Sequence, residues 1–312
     1  MEEAFLLSVV IPVYYEEDVV QACYKELRRV MCKNSWRYEL IFVNDGSKDQ
    51  TLTLLKEIAY ADPQVKIIDF SRNFGHQIAV TAGVIHSQGE AVVIIDADLQ
   101  DPPYVIEAMV DKWKQGYDVI YAKRKKRKGE TMFKCITAKC FYRFLHYMAE
   151  IDIPLDTGDF RLMDRQVVEA FKSMPERNRF VRGMISWVGF DQTYIEYERD
   201  ERYAGETKYP LKKMLHFAAD GVIGFSTKPL KLVRTLGFIT LFIAIVLAIY
   251  SLIAKYVMHS VVTGWTSLMV AITFFSGVQL FSIGLLGEYI ARIYDESKNR
   301  PLYLIKEKVN FK

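Results

Sequence analysis

Cysteine is scarce in this chain: its 312 residues hold four, Cys23, Cys32, Cys135 and Cys140, with no Cys-x-x-Cys spacing and no paired histidines. That argues against a zinc site and a disulfide framework, and the four read as small packing residues in a reducing compartment. Net charge is also small, at +3, which gives no basis for a nucleic-acid partner. Met1 to Leu7 includes Glu2 and Glu3 and lacks a basic flank, so no signal peptide is expected. Internal repeats and low-complexity linkers are missing. Charge itself is absent from two late stretches, Leu236 to Ala254 and Trp265 to Gly287. The first covers about 19 residues, or about 28 Å of helix, close to the thickness of a bilayer core. Two adjacent runs of this kind favour membrane spans over a pair of buried core helices. Lys228, Lys231 and Arg234 precede the first run and Arg292, Lys298 and Arg300 follow the second, while the connection carries only Lys255 and His259. By the positive-inside rule both ends face the cytoplasm.

The first half is built differently. Ser8 to Val13, Tyr38 to Val43, Val65 to Phe70, Ala91 to Ile95 and Tyr117 to Tyr121 read as strands, and Val19 to Met31, Thr51 to Ala59 and Val105 to Lys114 carry apolar residues at helical spacing. Continuous rather than alternating apolar strands predict an α/β fold with a mainly parallel sheet and helices on both faces. Ligands gather at the carboxyl ends of such strands. There the sequence places Pro12 to Glu16, Asn44 to Ser47, Ser71 to Gly75, and Asp96-Ala97-Asp98. The two acids, one residue apart after a buried strand, share a face and suit a divalent ion, Mg²⁺ or Mn²⁺. A competing reading is a solvated turn in which Asp101 caps a helix beginning at Pro102. Farther on, Lys123 to Lys128 is wholly basic, a helix is expected from Gly129 to Glu150, and an irregular segment holds Asp156 to Arg161. Leu211, Met214, Leu215, Ala218 and Val222 form an apolar stripe beside Lys212 and Lys213, which fits a helix on a membrane surface or one covering its own core.

The ordered series Ser8-Val9-Val10-Ile11-Pro12, Val43 to Ser47, Ser71 to Gly75, Asp96 to Pro103, Gly158 to Arg161, Asn178 to Gly183, Gly189-Phe190, Gly205 to Tyr209 and Gly287-Glu288-Tyr289 resembles family 2 glycosyltransferases of the GT-A nucleotide-diphospho-sugar fold. More narrowly it is similar to the membrane-attached polyprenyl-phosphate sugar transferases, the group of bactoprenol glucosyltransferases and dolichol-phosphate mannose synthases. The resemblance implies a GT-A catalytic domain over 1–205, an amphipathic juxtamembrane helix over 206–231, two transmembrane helices over 232–290 and a cytoplasmic tail over 291–312. One departure is Tyr15, where many relatives have Asn. The processive relatives' Gln-x-x-Arg-Trp motif is absent, which favours single transfer over polymerisation.

By the same resemblance, a sugar, glucose or N-acetylglucosamine first, passes from a UDP-sugar to undecaprenyl phosphate on the cytoplasmic leaflet of the inner membrane, with inversion. Pro12, Tyr14, Glu16, Asp45, Ser71, Asn73, Asp96, Ala97, Asp98 and Gln100 are the expected nucleotide-sugar contacts, Pro12, Tyr14, Glu16 and Asp45 lying around the uridine. For Asp45 a simple turn role competes with binding. The ion is expected chiefly on Asp98, with Asp96 nearer the ribose or one step removed behind the ion's direct ligands, to neutralise charge on the departing UDP. Asp98 and Asp159 are the expected catalytic residues. The acceptor's second phosphate pKa is about 6, so Asp159 is expected to orient groups at least as much as to take a proton. Arg124, Arg127, Arg182, Arg202, Thr207 and Lys208 are candidates for the acceptor phosphate. His76, Trp187 and Tyr209 are candidate sugar-pocket residues, with core packing favoured for Trp187. A homo-oligomer, a tetramer by resemblance, a separate flippase and a downstream glycosyltransferase complete the expected partners. The competing functions are a processive polysaccharide synthase subunit, a membrane-tethered nucleotidyltransferase and a silent scaffold or transporter subunit.

Overall fold

The computed structural model describes residues 5–34, 36–125, 157–198, 228–256 and 264–311. The predicted helix over 129–150 and all but residues 228–231 of the one over 206–231 lie outside them, as do Cys135, Cys140, Arg127, Arg202, Thr207, Lys208 and Tyr209.

The centre is an eight-stranded sheet. β1 (Leu6–Val13), β2 (Arg37–Asn44), β3 (Val65–Phe70) and β4 (Ala91–Ile94) are the predicted apolar strands, and they run parallel in the order β4-β1-β2-β3. Their side chains are buried on both faces, as uninterrupted Val, Ile and Leu runs require. α1 (Val20–Lys33), α2 (Thr51–Ala61) and α4 (Val105–Lys114) cover one face with Val20, Cys23, Leu27, Leu55, Ile106 and Met109. On the other face lie α3 (His76–His86), α5 (Arg165–Ser173) and α6 (Val181–Val188).

The sheet is mainly parallel, as expected, with antiparallel strands mixed into it. β5 (Val119–Arg124) joins it through β6 (Thr157–Asp164), which runs antiparallel to both β4 and β5, and β7 (Gln192–Tyr197) lies parallel to β5 at the edge. β6 falls on the segment expected to be irregular. Its sequence hides the strand because it buries Asp159 and Arg161, charges that a hydrophobic pattern assigns to the surface. Asp159 finds tertiary partners, described below, and Arg161 donates to the Asp159 and Gly158 carbonyls at 3.2 and 2.9 Å.

α7 (Lys228–Tyr256) and α8 (Trp265–Ser297) are each long and apolar enough to cross a membrane. Beyond α8 the segment expected as a tail returns to the sheet. β8 (Ile305–Val309) pairs antiparallel with β3, Tyr303 stacks on Phe70 at 5.1 Å, and Asn310 donates to the carbonyls of Ala59 and Val65, both at 2.8 Å. A second tie lies at the end of α8: Arg177 binds Asn299 at 2.9 Å and the Arg300 carbonyl, and its backbone N–H donates to Glu296 at 2.7 Å. Of the cysteines, Cys23 is buried as expected, whereas Cys32 is exposed.

Candidate active site

The loops that follow β1, β2, β3 and β4 meet at one edge of the sheet. Two of these loops contain non-glycine residues in the left-handed region: Tyr15, with φ of 55°, and Leu99, with φ of 56°. Backbone strain of this kind concentrates where a loop must present groups in one arrangement. Asparagine enters that region more readily than tyrosine, so Tyr15 holds this conformation at a backbone cost.

Asp159, on β6, anchors a buried cluster. Arg182 of α6 grips its carboxylate with two bonds, 2.7 Å from Nε to Oδ1 and 3.1 Å from Nη2 to Oδ2. His76, the first residue of α3, stands 3.2 Å from Asp159 Oδ2 and 3.6 Å from Asp96 Oδ1. Gln77 donates to Asp159 at 3.3 Å and accepts the Val181 backbone N–H at 2.9 Å, joining α3 to α6. Burial pushes the Asp159 carboxyl up, but Arg182 and His76 outweigh it and hold it well below the usual carboxylate range. For His76 the same balance runs the other way: burial lowers its pKa, and Asp96 and Asp159 raise it to about 9. Histidine is therefore a cation here at neutral pH, lying between two acids.

Asp96 Oδ1 is buried and has no hydrogen-bond partner. Burial raises its carboxyl, His76 pulls it back and Asp159 adds to the rise, leaving it at about 6. An oxygen acceptor hidden without a hydrogen bond is costly, and the cation facing this one, His76, stands 3.6 Å away. Asp98 lies two residues on, its Oδ1 accepting the Gln100 N–H at 3.1 Å. No group of three or more His, Cys, Asp or Glu side chains able to hold a metal occurs among the described residues. Asp96 and Asp98 by themselves offer hard oxygen donors of the kind a divalent ion takes.

The other expected residues divide. Tyr14, Ser71 and Asn73 line a cavity of about 640 Å³, together with Tyr15, Arg72 and Lys306. Pro12 and Ala97 are buried beneath the site, and the Glu16 N–H donates to the Thr51 hydroxyl at 3.0 Å. Asp45 turns inward. Its carboxylate accepts from Phe74 N at 2.6 Å, Gly75 N at 2.9 Å and the Asn73 side chain at 2.9 Å, fastening the loop after β3 to the loop after β2. Gly46 beside it has φ of 71°, and a methyl group there would strike the Arg72 backbone.

Asp101 is not the cap of α4; the residue at that position is Tyr104, without a side-chain bond. Asp101 is buried, accepts the Tyr197 hydroxyl, and pairs with Arg124 at 3.6 Å. Arg124 in turn lies over Gly158, where an added methyl would meet its guanidinium at 2.8 Å. Both described acceptor candidates, Arg124 and Arg182, are thus drawn toward Asp159, though each is held by an acid. Trp187 does not pack in the core: it is 65% exposed on α6.

Gln77, Tyr197 and Lys306 escaped the sequence reading, whereas Arg72 lies in the loop it placed at the sheet edge. Gln77 had a usable signal in its place beside His76 after a glycine; Lys306 had none, because only the return of the chain to β3 brings it to the cavity.

Residues 8–171 match the family described as Glycosyl transferase family 2, and residues 228–293 match GtrB C-terminal hairpin. The chain is 56% identical over 307 residues to Uncharacterized glycosyltransferase YkcC of Bacillus subtilis, covering 96% of this chain and 93% of that protein. It is 41% identical to Prophage bactoprenol glucosyl transferase homolog of Escherichia coli and 42% identical to Bactoprenol glucosyl transferase of Shigella phage SfV, each over 96% of this chain and 98% of the relative. Mannosyl-3-phosphoglycerate synthase from Rubrobacter xylanophilus is similar to this chain over 75% of each, with a TM-score of 0.49 and 16% identity.

Proposed function

The chain belongs to glycosyl transferase family 2, and from that premise we propose that it transfers one glucose from UDP-glucose to a polyprenyl phosphate at the cytoplasmic face of a membrane. One juxtaposition carries the reading. An acid-lined sheet edge and two bilayer-length helices stand on one chain, and relatives named bactoprenol glucosyl transferase match it over 96% of its length.

The residues divide the work by their chemistry. Asp98 and Asp96 would hold a divalent ion, which supplies positive charge for the departing diphosphate. The unpartnered Asp96 Oδ1 supports that role. Tyr14, Ser71 and Asn73 line the cavity for the nucleoside. Asp159 stays ionised but is a weak base, since Arg182 and His76 stabilise its charged form. Its task is to orient Arg182 and the His76 cation. The acceptor needs little help losing a proton, because a phosphate monoester with a second pKa of about 6 is already mostly a dianion at pH 7. Arg124 and Arg182 then offer guanidinium groups to the acceptor phosphate, each loosening its hold on an acid to do so.

The test is product analysis of the purified full-length protein in detergent with undecaprenyl phosphate, Mg²⁺ and a panel of UDP-sugars. Polyprenyl-phospho-glucose should form fastest, and Asp98→Asn should remove nearly all of it while the melting curve stays in place. Substantial turnover by that variant would remove the ion from the reading. A soluble or polymeric product would remove the single lipid-linked transfer.

A further inference from the structure

The cavity at the tips of β1, β2 and β3 is bounded by a residue from the far end of the chain. Lys306, the second residue of β8, lines it with Tyr14, Tyr15, Ser71 and Arg72. Its position is fixed. Ile305 pairs with Phe70, the Ser71 N–H donates to the Leu304 carbonyl at 3.0 Å, and Tyr303 stacks on Phe70. The strand's other long side chains are engaged elsewhere: Glu307 bonds Lys56 at 2.6 Å, and Lys308 lies over the Phe311 ring at 5.6 Å. Lys306 forms no ion pair among the described residues and is exposed at the cavity.

The cavity's chemistry suggests which part of a ligand it takes. Two tyrosine rings and Leu52 give flat apolar surface, Arg72 and Lys306 give donors, and the acid in the lining, Asp69, already accepts from Asn44 at 2.7 Å. β3 stands three strand spacings, about 14 Å, from β4 and its Asp pair. A ribose and a diphosphate bridge such a gap, so the base end falls in the cavity when the phosphates face Asp96 and Asp98. An ammonium group only donates hydrogen bonds, and the carbonyl oxygens of a pyrimidine accept them.

We propose that Lys306 is a donor-recognition residue whose ammonium binds a base carbonyl of the nucleoside diphosphate, so that the strand following the membrane hairpin completes the nucleotide site. This rests on the reading of the enzyme as a UDP-sugar transferase. It makes nucleotide binding depend on the chain's last strand being docked on β3.

Titration calorimetry of UDP with Mg²⁺ on the full-length protein tests it, with Lys306→Ala, Lys306→Arg and Lys308→Ala compared. Lys306→Ala should bind UDP about tenfold more weakly, Lys306→Arg should recover part of the loss, and Lys308→Ala should match the unmodified protein. In transfer assays KM for UDP-glucose should rise by the same factor in Lys306→Ala with kcat within about twofold. UMP and UDP, as competitive inhibitors, should weaken together. Unchanged UDP affinity in Lys306→Ala would overturn the proposal, and a loss for UDP without one for UMP would do so by moving the contact to the terminal phosphate. If the unmodified protein binds no UDP at all, the transferase reading fails and this inference falls with it.

Discussion

At the scale of single residues, the site is organised by charge pairs that fix one another's ionisation. Asp159 touches Arg182, His76 and Gln77, and removing its charge leaves two part-buried cations without their common partner. Asp159→Asn should bind UDP nearly as well as the unmodified protein but transfer at least a hundredfold more slowly, with stability lower by about 3 kcal/mol. Calorimetry, a transfer assay and a denaturant titration check the three parts, and a loss of UDP affinity matching the loss of rate would place Asp159 in the nucleotide site instead. His76 supplies a pH signature for the metal-free protein. Its folded pKa of about 9 lies above the ordinary value of about 6.5. The stabilisation from its charge is therefore complete below about pH 6.5 and disappears as pH rises through about 9. The melting temperature should fall between about pH 6.5 and pH 9, and His76→Gln should flatten that part of the profile. Much of this was visible in the sequence, since Asp96, Asp98 and Asp159 lie in recognisable motifs. Their partners were not, because a hydrogen bond from β6 to α6 spans 23 residues and leaves no periodicity to read.

Elements place these residues by close approach. α3 lies against β1 at Gly83, where an added methyl would overlap Val10 Cγ1. Val10 is fully buried between that helix and the rest of the sheet, so the neighbour has nowhere to move. Gly83→Ala should destabilise the fold by about 1 to 3 kcal/mol and displace the N-terminal end of α3, which carries His76. The measurement is a denaturant midpoint combined with transfer rate, and an unchanged midpoint would show that α3 can shift freely. The apolar strands and the amphipathic helices α1, α2 and α4 are legible because each follows one hydrophobic period. β6 and β8 are not. The first buries charge on one face, and the second, Ile-Lys-Glu-Lys-Val, is polar and exposed at its three central positions, with no sign of which edge it joins.

For the whole molecule, the question is how an apolar hairpin is joined to the sheet that carries the candidate site. The chain makes the connection twice after α8, through Arg177 to residues 296–300 and through β8 to β3. The first clasp is exposed, and surface ion pairs contribute little to global stability. Arg177→Ala should therefore leave the melting temperature within about 2 °C of the original while hydrogen exchange over 294–300 quickens. A large fall in melting temperature, or protection that does not change, would show that the clasp is not what holds the end of α8.

The sequence by itself determined the class of fold, the order of the first strands and helices, the acids at the sheet edge and the two apolar stretches, because each is encoded in neighbouring residues through period, run length or a short motif. Tertiary structure alone decided that Asp45 faces inward, that His76 is a cation between Asp96 and Asp159, that Trp187 is exposed, and that Lys306 reaches a cavity built some 230 residues earlier in the chain. These depend on which distant groups share a volume, and electrostatic and packing energies are functions of distance in space rather than of separation along the chain.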